Sequence, residues 1–407
     1  MTAALPAEAP LFPLVVARLL PDRTGRAPGG VWVQGVSVGE VEVALTLAEG
    51  LSRERPALPV LLTSTTPAGV GLLSRRLAPA ARPWRPFPLD LPFAVRRLFD
   101  AESPRLLVLV ETELWPALLR EARRRGVPVL LANARLSARS AARYRRASSF
   151  FAGPLSALTR VLARTSSDAE RFAAIGVPPA RVTVSGDLKF DRPAPAPPPF
   201  AATARALAAG RRVLVAGSVA AGEIPLALDV TRRLAGPEPL FLVLAPRRPD
   251  DFDAAVRLAR EAGLRVVRRS ALDAGAPAEP AASADALVLD TVGELAATYG
   301  LADAALLGGT FVPKGGHNVL EPLRAGAPVV VGPSVENIRE TIDAARGAVF
   351  RASDAASAAA ALAPLLAPGA AREGAVAAAA ALFSSGAGAA ARAVRAALDL
   401  LDGGAAA

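Results

Sequence analysis

The stretch Asp191–Phe200, DRPAPAPPPF, places five prolines in ten residues. Proline fixes φ and has no N–H to donate, so this stretch can be neither a helix nor a central strand; it reads as an extended linker. On either side, short apolar runs alternate with longer amphipathic segments. Before it, strands are expected at Val31–Val36, Val60–Thr65, Leu106–Val110, Val127–Ala132, Arg160–Arg164 and Val182–Ser185. Helices are expected between several of them, at Val41–Arg53, Ala68–Leu77, Trp115–Arg125 and Ser167–Ile175. After it the alternation restarts, with strands expected at Arg212–Ala216, Leu240–Ala245, Leu264–Val267, Ala286–Asp290, Ala304–Gly308 and Pro328–Val331. Alternation of this kind builds βαβ units and a parallel, doubly wound sheet. The expected fold class is therefore α/β, with two Rossmann-like halves and a cleft between them. The boundaries follow: residues 1–190, a Pro-rich linker at 191–210, a second half at 211–370, and closing helices with a tail at 371–407.

Length and composition agree with this division. A chain of 407 residues exceeds the usual size of one domain, and 52% hydrophobic with 21% charged residues suits large cores rather than disorder. The net charge of +10 is mostly arginine. A basic surface can attract nucleic acid, anionic membrane or acidic small molecules. The arginines are spread over amphipathic segments and aromatics are only 5%, which argues against a nucleic-acid groove with stacking bases. There is no cysteine and a single histidine, so neither disulfides nor a thiolate metal site is available and no metal is expected. No apolar run reaches the ~20 residues of a membrane span. The N-terminal Pro10–Leu20, PLFPLVVARLL, is short, holds two prolines and lacks a basic leader, so it is not expected to be a signal peptide.

Several strand ends carry chemistry. In Val31–Ala44, VWVQGVSVGEVEVA, Glu40 opens a helix; such an acid suits the helix dipole and equally suits a general base at the ligand-binding edge of a parallel sheet. In LVLVETELWPALL, Glu111 and Glu113 follow a strand; the chain is expected to turn after Glu111 so that one acid faces the cleft, the alternative being an ion pair with Arg135 or Arg139. Lys189, in VSGDLKFD, is one of few lysines and could meet an anion at the domain junction. In VLVAGSVAAGE, the Gly217-Ser218 turn can point N–H groups at phosphate, without the glycine pattern of a dinucleotide or Walker site. Arg247 in LAPRRPDDF could clamp a phosphate. DTVGEL (Asp290–Leu295) repeats the strand-to-helix arrangement. In GGTFVPKGGHNVLEP, Gly315-Gly316 would admit a ligand to the backbone, and a helix start near Asn318 would favour an anion. Glu321 there could hold a ribose diol, and Asn318 could simply cap the helix.

Taken together, VSVGE, ETELWP, NARLS, GDLKFD, AGS, PRRP, DTVGEL and VPKGGHNVLEP, in this order from about Trp32 to Gly332, resemble the 3-deoxy-D-manno-octulosonic acid (Kdo) transferases of lipopolysaccharide synthesis. The resemblance implies a GT-B glycosyltransferase of two facing Rossmann-like domains. It implies transfer of Kdo from CMP-Kdo to a lipid A precursor (lipid IVA) at the cytoplasmic face of the inner membrane, without a metal or other cofactor. Glu40 matches the family's general base, and Glu111 and Lys189 match positions that stabilise the transition state. Pro246, Arg247, Val292, Gly293, Glu294, Asn318, Val319, Leu320 and Glu321 match the CMP-binding segments. Ser218, Lys314 and His317 are secondary candidates, His317 as a local orienter of its loop. The chain departs from the family where Val219-Ala220-Ala221 replaces Thr-His-Glu and where Arg248 replaces His. Many members begin with a long apolar anchor; none is expected here, and attachment is expected to be peripheral, through Phe12–Leu20 and basic residues on an anionic surface. Two other readings are a GT-B transferase with a UDP-sugar donor and a non-catalytic basic surface-binding protein.

Overall fold

The computed structural model describes residues 11–78, 82–192, 194–236, 239–273 and 284–403. Pro10, Pro193 and the last four residues, assigned above to the N-terminal run, the linker and the tail, lie outside the described residues. Contacts divide the chain into two units, Met1–Arg192 with Gly386–Ala407, and Pro193–Ser385.

The first unit is built on β1 (Val31–Gly35), β2 (Val60–Ser64), β3 (Trp84–Pro86), β4 (Leu106–Val110), β5 (Val129–Ala134), β6 (Arg160–Ala163) and β7 (Val182–Val184). These form one parallel sheet of order β3-β2-β1-β4-β5-β6-β7. The central strands are predominantly apolar because both faces are covered. Val31, Val33, Val108 and Val110 pack on one face with Val41, Leu45 and Leu51 of the helix Val38–Glu54. Trp32, Leu107, Leu109 and Leu131 pack on the other with Phe99, Leu118 and Phe172.

The second unit repeats the plan with β8 (Arg212–Val219), β9 (Leu240–Pro246), β10 (Val266–Arg268), β11 (Ala286–Val288), β12 (Ala304–Leu307), β13 (Val329–Val331) and β14 (Val349–Arg351). The order is β10-β11-β9-β8-β12-β13-β14, again with parallel pairing. In each sheet the strand order reverses beside the first strand, at β1/β4 and at β8/β12. Ligands of open α/β sheets bind at the carboxyl ends of strands flanking such switch points.

Three expectations change. The linker is shorter than 191–210, because Ala201–Ala208 is a helix of the second unit and Phe200 is buried beneath the Arg269 guanidinium, 4.4 Å from its ring centre. The closing segment is not one body. The helix Ala370–Gly386 belongs almost wholly to the second unit, whereas the helix Ala389–Leu401 returns to the first, where Ala393, Val394 and Ala397 join the core beneath the helix Val38–Glu54. Finally, Ala370–Leu401 does have the length and mean hydropathy (1.4) of a membrane span, although it folds as two helices parted at Ala387-Gly388. Alanine supplies that hydropathy, and the helix Ala389–Leu401 buries its apolar side within the first unit.

Candidate active site

In the first unit the site grows from the ends of adjacent strands. β1 stops at Gly35, and Ser37 caps the following helix by accepting from the Glu40 N–H at 3.4 Å. The Glu40 carboxylate returns to the strand end, with Oε2 accepting from the N–H of Val36 (2.6 Å) and of Ser37 (3.4 Å). This is a capping box. It ties down Oε2 and leaves Oε1 with the Ser37 hydroxyl, 3.2 Å away. The half-buried Glu40 has its pKa raised above the usual glutamate value, first by burial and then by the nearby Glu111 charge, against the Val36 hydrogen bond.

Glu111 follows β4, the strand paired in parallel with β1. It turns the chain with a φ of +65°, as the sequence led one to expect. Its carboxylate does not meet Arg135 or Arg139 but accepts from the Lys189 ammonium at 2.7 Å. Lys189 is placed by a 3-10 turn, Leu188–Asp191, whose start is held by Asp187 accepting from the Lys189 N–H (2.9 Å). Asn133, buried with a φ of +54°, fixes the same turn by accepting from the Leu188 N–H at 2.9 Å. Asn133 stands in the NARLS motif, and sequence reasoning did not single it out; its signal is the left-handed conformation an asparagine tolerates.

Of the two acids of ETELWP, Glu111 is partly exposed at the strand end and the second lies inside. Glu113 is buried, accepts from the Trp115 indole N–H, and is pushed up to about 8 by burial, by the Glu40 charge and, more weakly, by Glu111. Three carboxyl groups thus share one neighbourhood. The most deeply buried of the three, Glu113, is the one whose proton is held most strongly. Trp115 stacks near Phe87 (ring centres 5.3 Å), and Pro116 opens the next helix, so every residue of the motif after the acids has a packing role.

In the second unit the candidates cluster at the β8/β12 switch point. Ser218, with a φ of +55°, sits at a register shift near the end of β8. Gly217 admits the buried Tyr299, whose hydroxyl oxygen would lie 1.9 Å from a Cβ there. Arg247, just past β9, is exposed and donates its backbone N–H to Val219 (2.8 Å). His317 is half-buried, and burial, with the Arg247 and Lys314 charges, lowers its pKa while Glu223 opposes. Its ring packs on Gly309, in keeping with an orienting role. Glu321 accepts from the Asn318 side-chain amide (3.0 Å), and Asn318 also accepts from the Leu320 N–H (3.1 Å) in a local turn; the helix cap itself is Val319, so Asn318 is not the cap that was expected. Glu294 accepts from Thr291 and from Arg269 (2.8 Å), beside the exposed Val292 and Gly293. Pro246 ends β9, and Val319 and Leu320 are buried.

Two further expectations fail in this loop. The helix after Asn318 is only Leu320–Arg324, too short for its N-terminus to be an anion site. Gly315 and Gly316 have positive φ, but Cβ atoms there would lie 2.3 Å from Asn337 and 2.6 Å from Ile338. Their small size serves packing, not ligand access. Among the described residues no group of three His, Cys, Asp or Glu could hold a metal ion.

Two Rossmann-like units, each a parallel sheet with charged groups at its switch point, define the GT-B fold. MurG of Acinetobacter baumannii shares this fold, with a TM-score of 0.55 at 14% identity over 91% of this chain and 99% of that one. So does a glycosyltransferase from Rickettsia africae, with a TM-score of 0.57 at 10% identity over 92% and 98%. Residues 16–192 match the family described as 3-Deoxy-D-manno-octulosonic-acid transferase (kdotransferase). The 3-deoxy-D-manno-octulosonic acid transferase of Bordetella pertussis is 38% identical over 359 residues, 83% of this chain and 81% of that protein. The protein of the same description from Haemophilus influenzae is 32% identical over 316 residues, 77% and 73%. The chain belongs to the Kdo transferases, the glycosyltransferases of lipopolysaccharide synthesis.

Proposed function

We propose that the donor is CMP-Kdo, that the acceptor is the lipid A precursor lipid IVA, and that Glu40 is the general base. The observation that carries this reading is the Glu40 carboxyl, its proton affinity raised by burial, beside the Glu111–Lys189 pair at the carboxyl ends of β1 and β4. The acceptor hydroxyl oxygen bonds to the anomeric carbon of Kdo while its proton passes to Glu40. The bond from that carbon to the CMP phosphate oxygen breaks, and its electron pair leaves with CMP. Glu111, oriented by Lys189, faces the positive character that develops at the sugar. In the second unit, Arg247 and Lys314 supply charge for the departing phosphate and Glu321 supplies a carboxylate for the ribose. Pro246, Val292–Glu294 and Asn318–Leu320 line the nucleotide, with Ser218 and His317 beside them. With these cations, no metal is needed, and full activity in EDTA is expected.

We assign the protein to the cytoplasmic face of the inner membrane as a peripheral protein. The support is the helix Leu11–Leu19, which exposes Val15 and Val16, with exposed Leu20, Leu91 and Phe93 in segments joined by the Leu89 N–H to the Arg18 carbonyl (2.9 Å).

The test is donor choice. With tetraacylated lipid A precursor, CMP-Kdo should give CMP and a Kdo-lipid product by mass spectrometry. A product only from a UDP-sugar, or none from either donor, would overturn the reading.

A further inference from the structure

Glu223 ends the 3-10 turn Ala221–Glu223 after β8 and is 2% exposed. Its partners are backbone N–H groups. Oε2 accepts from Ala220 (2.9 Å) and Gly309 (2.6 Å), and Oε1 from Thr310 (3.1 Å) and Phe311 (2.8 Å). Burying a carboxylate is costly unless hydrogen bonds replace its water, and here four do. Three consecutive N–H groups converging on one point form a nest, the backbone shape that ordinarily binds an external anion. In this protein the nest after β12 is filled from within the chain. The switch-point loop is therefore wound around a fixed internal charge and does not offer these N–H groups to a phosphate.

What that loop carries gives the contact its meaning. Gly308 donates to Gly217 (2.8 Å), beside Ser218, and Gly316 donates to Gly309 (2.9 Å), whose α-carbon supports the His317 ring. Glu223 and the charges of Arg247 and Lys314 all act on His317. One carboxylate thus joins the turn after Ser218 to the loop that presents Lys314 and His317.

We propose that Glu223 is a positioning residue that holds the Gly308–Phe311 loop, and with it Ser218, Lys314 and His317, in the geometry that binds the nucleotide of the donor. This rests on the CMP-Kdo reading. Glu223→Gln keeps the shape but turns an N–H₂ toward the converging N–H groups, a donor–donor conflict. Glu223→Asp keeps the charge on a shorter stem.

The experiment is a calorimetric titration of the full-length protein with CMP, together with transfer kinetics. Wild type is expected to bind CMP, Glu223→Gln about tenfold or more weakly, and Glu223→Asp in between. The Gln variant should raise the donor KM with the acceptor KM unchanged. Partial unfolding would instead lower kcat at unchanged KM. Because His317 is the only histidine, its NMR titration needs no assignment. It should move to lower pH in Glu223→Gln, since the charge that raises it is gone. Asp229→Asn, on the outer face of the next helix, should leave CMP binding unchanged. Equal CMP affinity in wild type and Glu223→Gln would overturn the positioning role and leave the donor reading intact. A wild type that binds no CMP would remove the donor reading and this proposal with it. If Glu223→Gln does not fold, a Glu223→Asp variant that folds and binds like wild type would overturn the proposal.

Discussion

The two carboxylate oxygens of Glu40 divide its structural role from the chemical one proposed above. Oε2 closes the capping box, which fixes the side chain without a further orienting residue, and Oε1 faces only a hydroxyl. Burial raises its pKa, so protonation inactivates the base at a higher pH than for an ordinary glutamate at 4.5. The acid limb of kcat/KM should therefore lie above pH 4.5, and a limb at or below that value would contradict the assignment. Glu113 offers an independent check. Its folded value of about 8 exceeds the ordinary 4.5, so the folded protein holds a proton that the unfolded chain releases. The resulting stability is full below pH 4.5 and is lost as pH rises through about 8. Glu113→Gln, which imitates the protonated acid, should flatten that loss in urea midpoints measured at pH 5 and pH 8.5. An unchanged pH dependence would show that Glu113 is not the proton-holding group.

At the scale of elements, short connections place the chemistry. The helix Ala389–Leu401 has no side-chain cap of its own, and Asp191, two residues after Lys189, accepts from Gly388 and Ala390 N–H groups, both at 2.5 Å. The segment that presents Lys189 is thereby tied to the returning helix. Asp191→Ala should cost about 1–2 kcal/mol, the scale of a lost helix cap, read as a lower thermal midpoint. An unchanged midpoint would mean the contact contributes nothing. Much of this level was legible beforehand. LVLV and VLVAG read as buried parallel strands because such short apolar runs alternate with longer helical patterns, and the prolines after Asp191 mark the change of unit. The edge strands Trp84–Pro86 and Val349–Arg351 were not legible, since three residues at a sheet edge carry no periodic signal. The return of the last helix was hidden too: in an alanine-rich tail nothing distinguishes a helix of one unit from a helix of the other. At the site, Glu40, Glu111 and Lys189 showed as charges at strand ends. Glu113 showed there too, though not its burial; the roles of Asn133 and Glu223 did not show, because they depend on contacts 55 to 88 residues apart that spacing alone does not specify.

For the molecule as a whole, the net charge of +10 and the lipid-linked acceptor proposed above favour the proposed peripheral contact with an anionic bilayer. Cosedimentation with vesicles containing anionic phospholipid should fall as salt rises from 50 to about 500 mM. Replacing Val15 and Val16 by Asp should weaken it at every salt concentration. Binding that ignores both changes would contradict a docking contact built from charge and this helix. The central claim is a narrower one, that Kdo moves because Glu40 takes the acceptor's proton. The most direct measurement is the rate of CMP release from CMP-Kdo in the presence of tetraacylated lipid A precursor, for wild type and Glu40→Gln side by side. The account predicts release with Kdo-lipid formation for wild type and a loss of about 10²–10⁴-fold for Glu40→Gln with an unchanged circular dichroism spectrum. Wild-type turnover by a folded Glu40→Gln protein would contradict it.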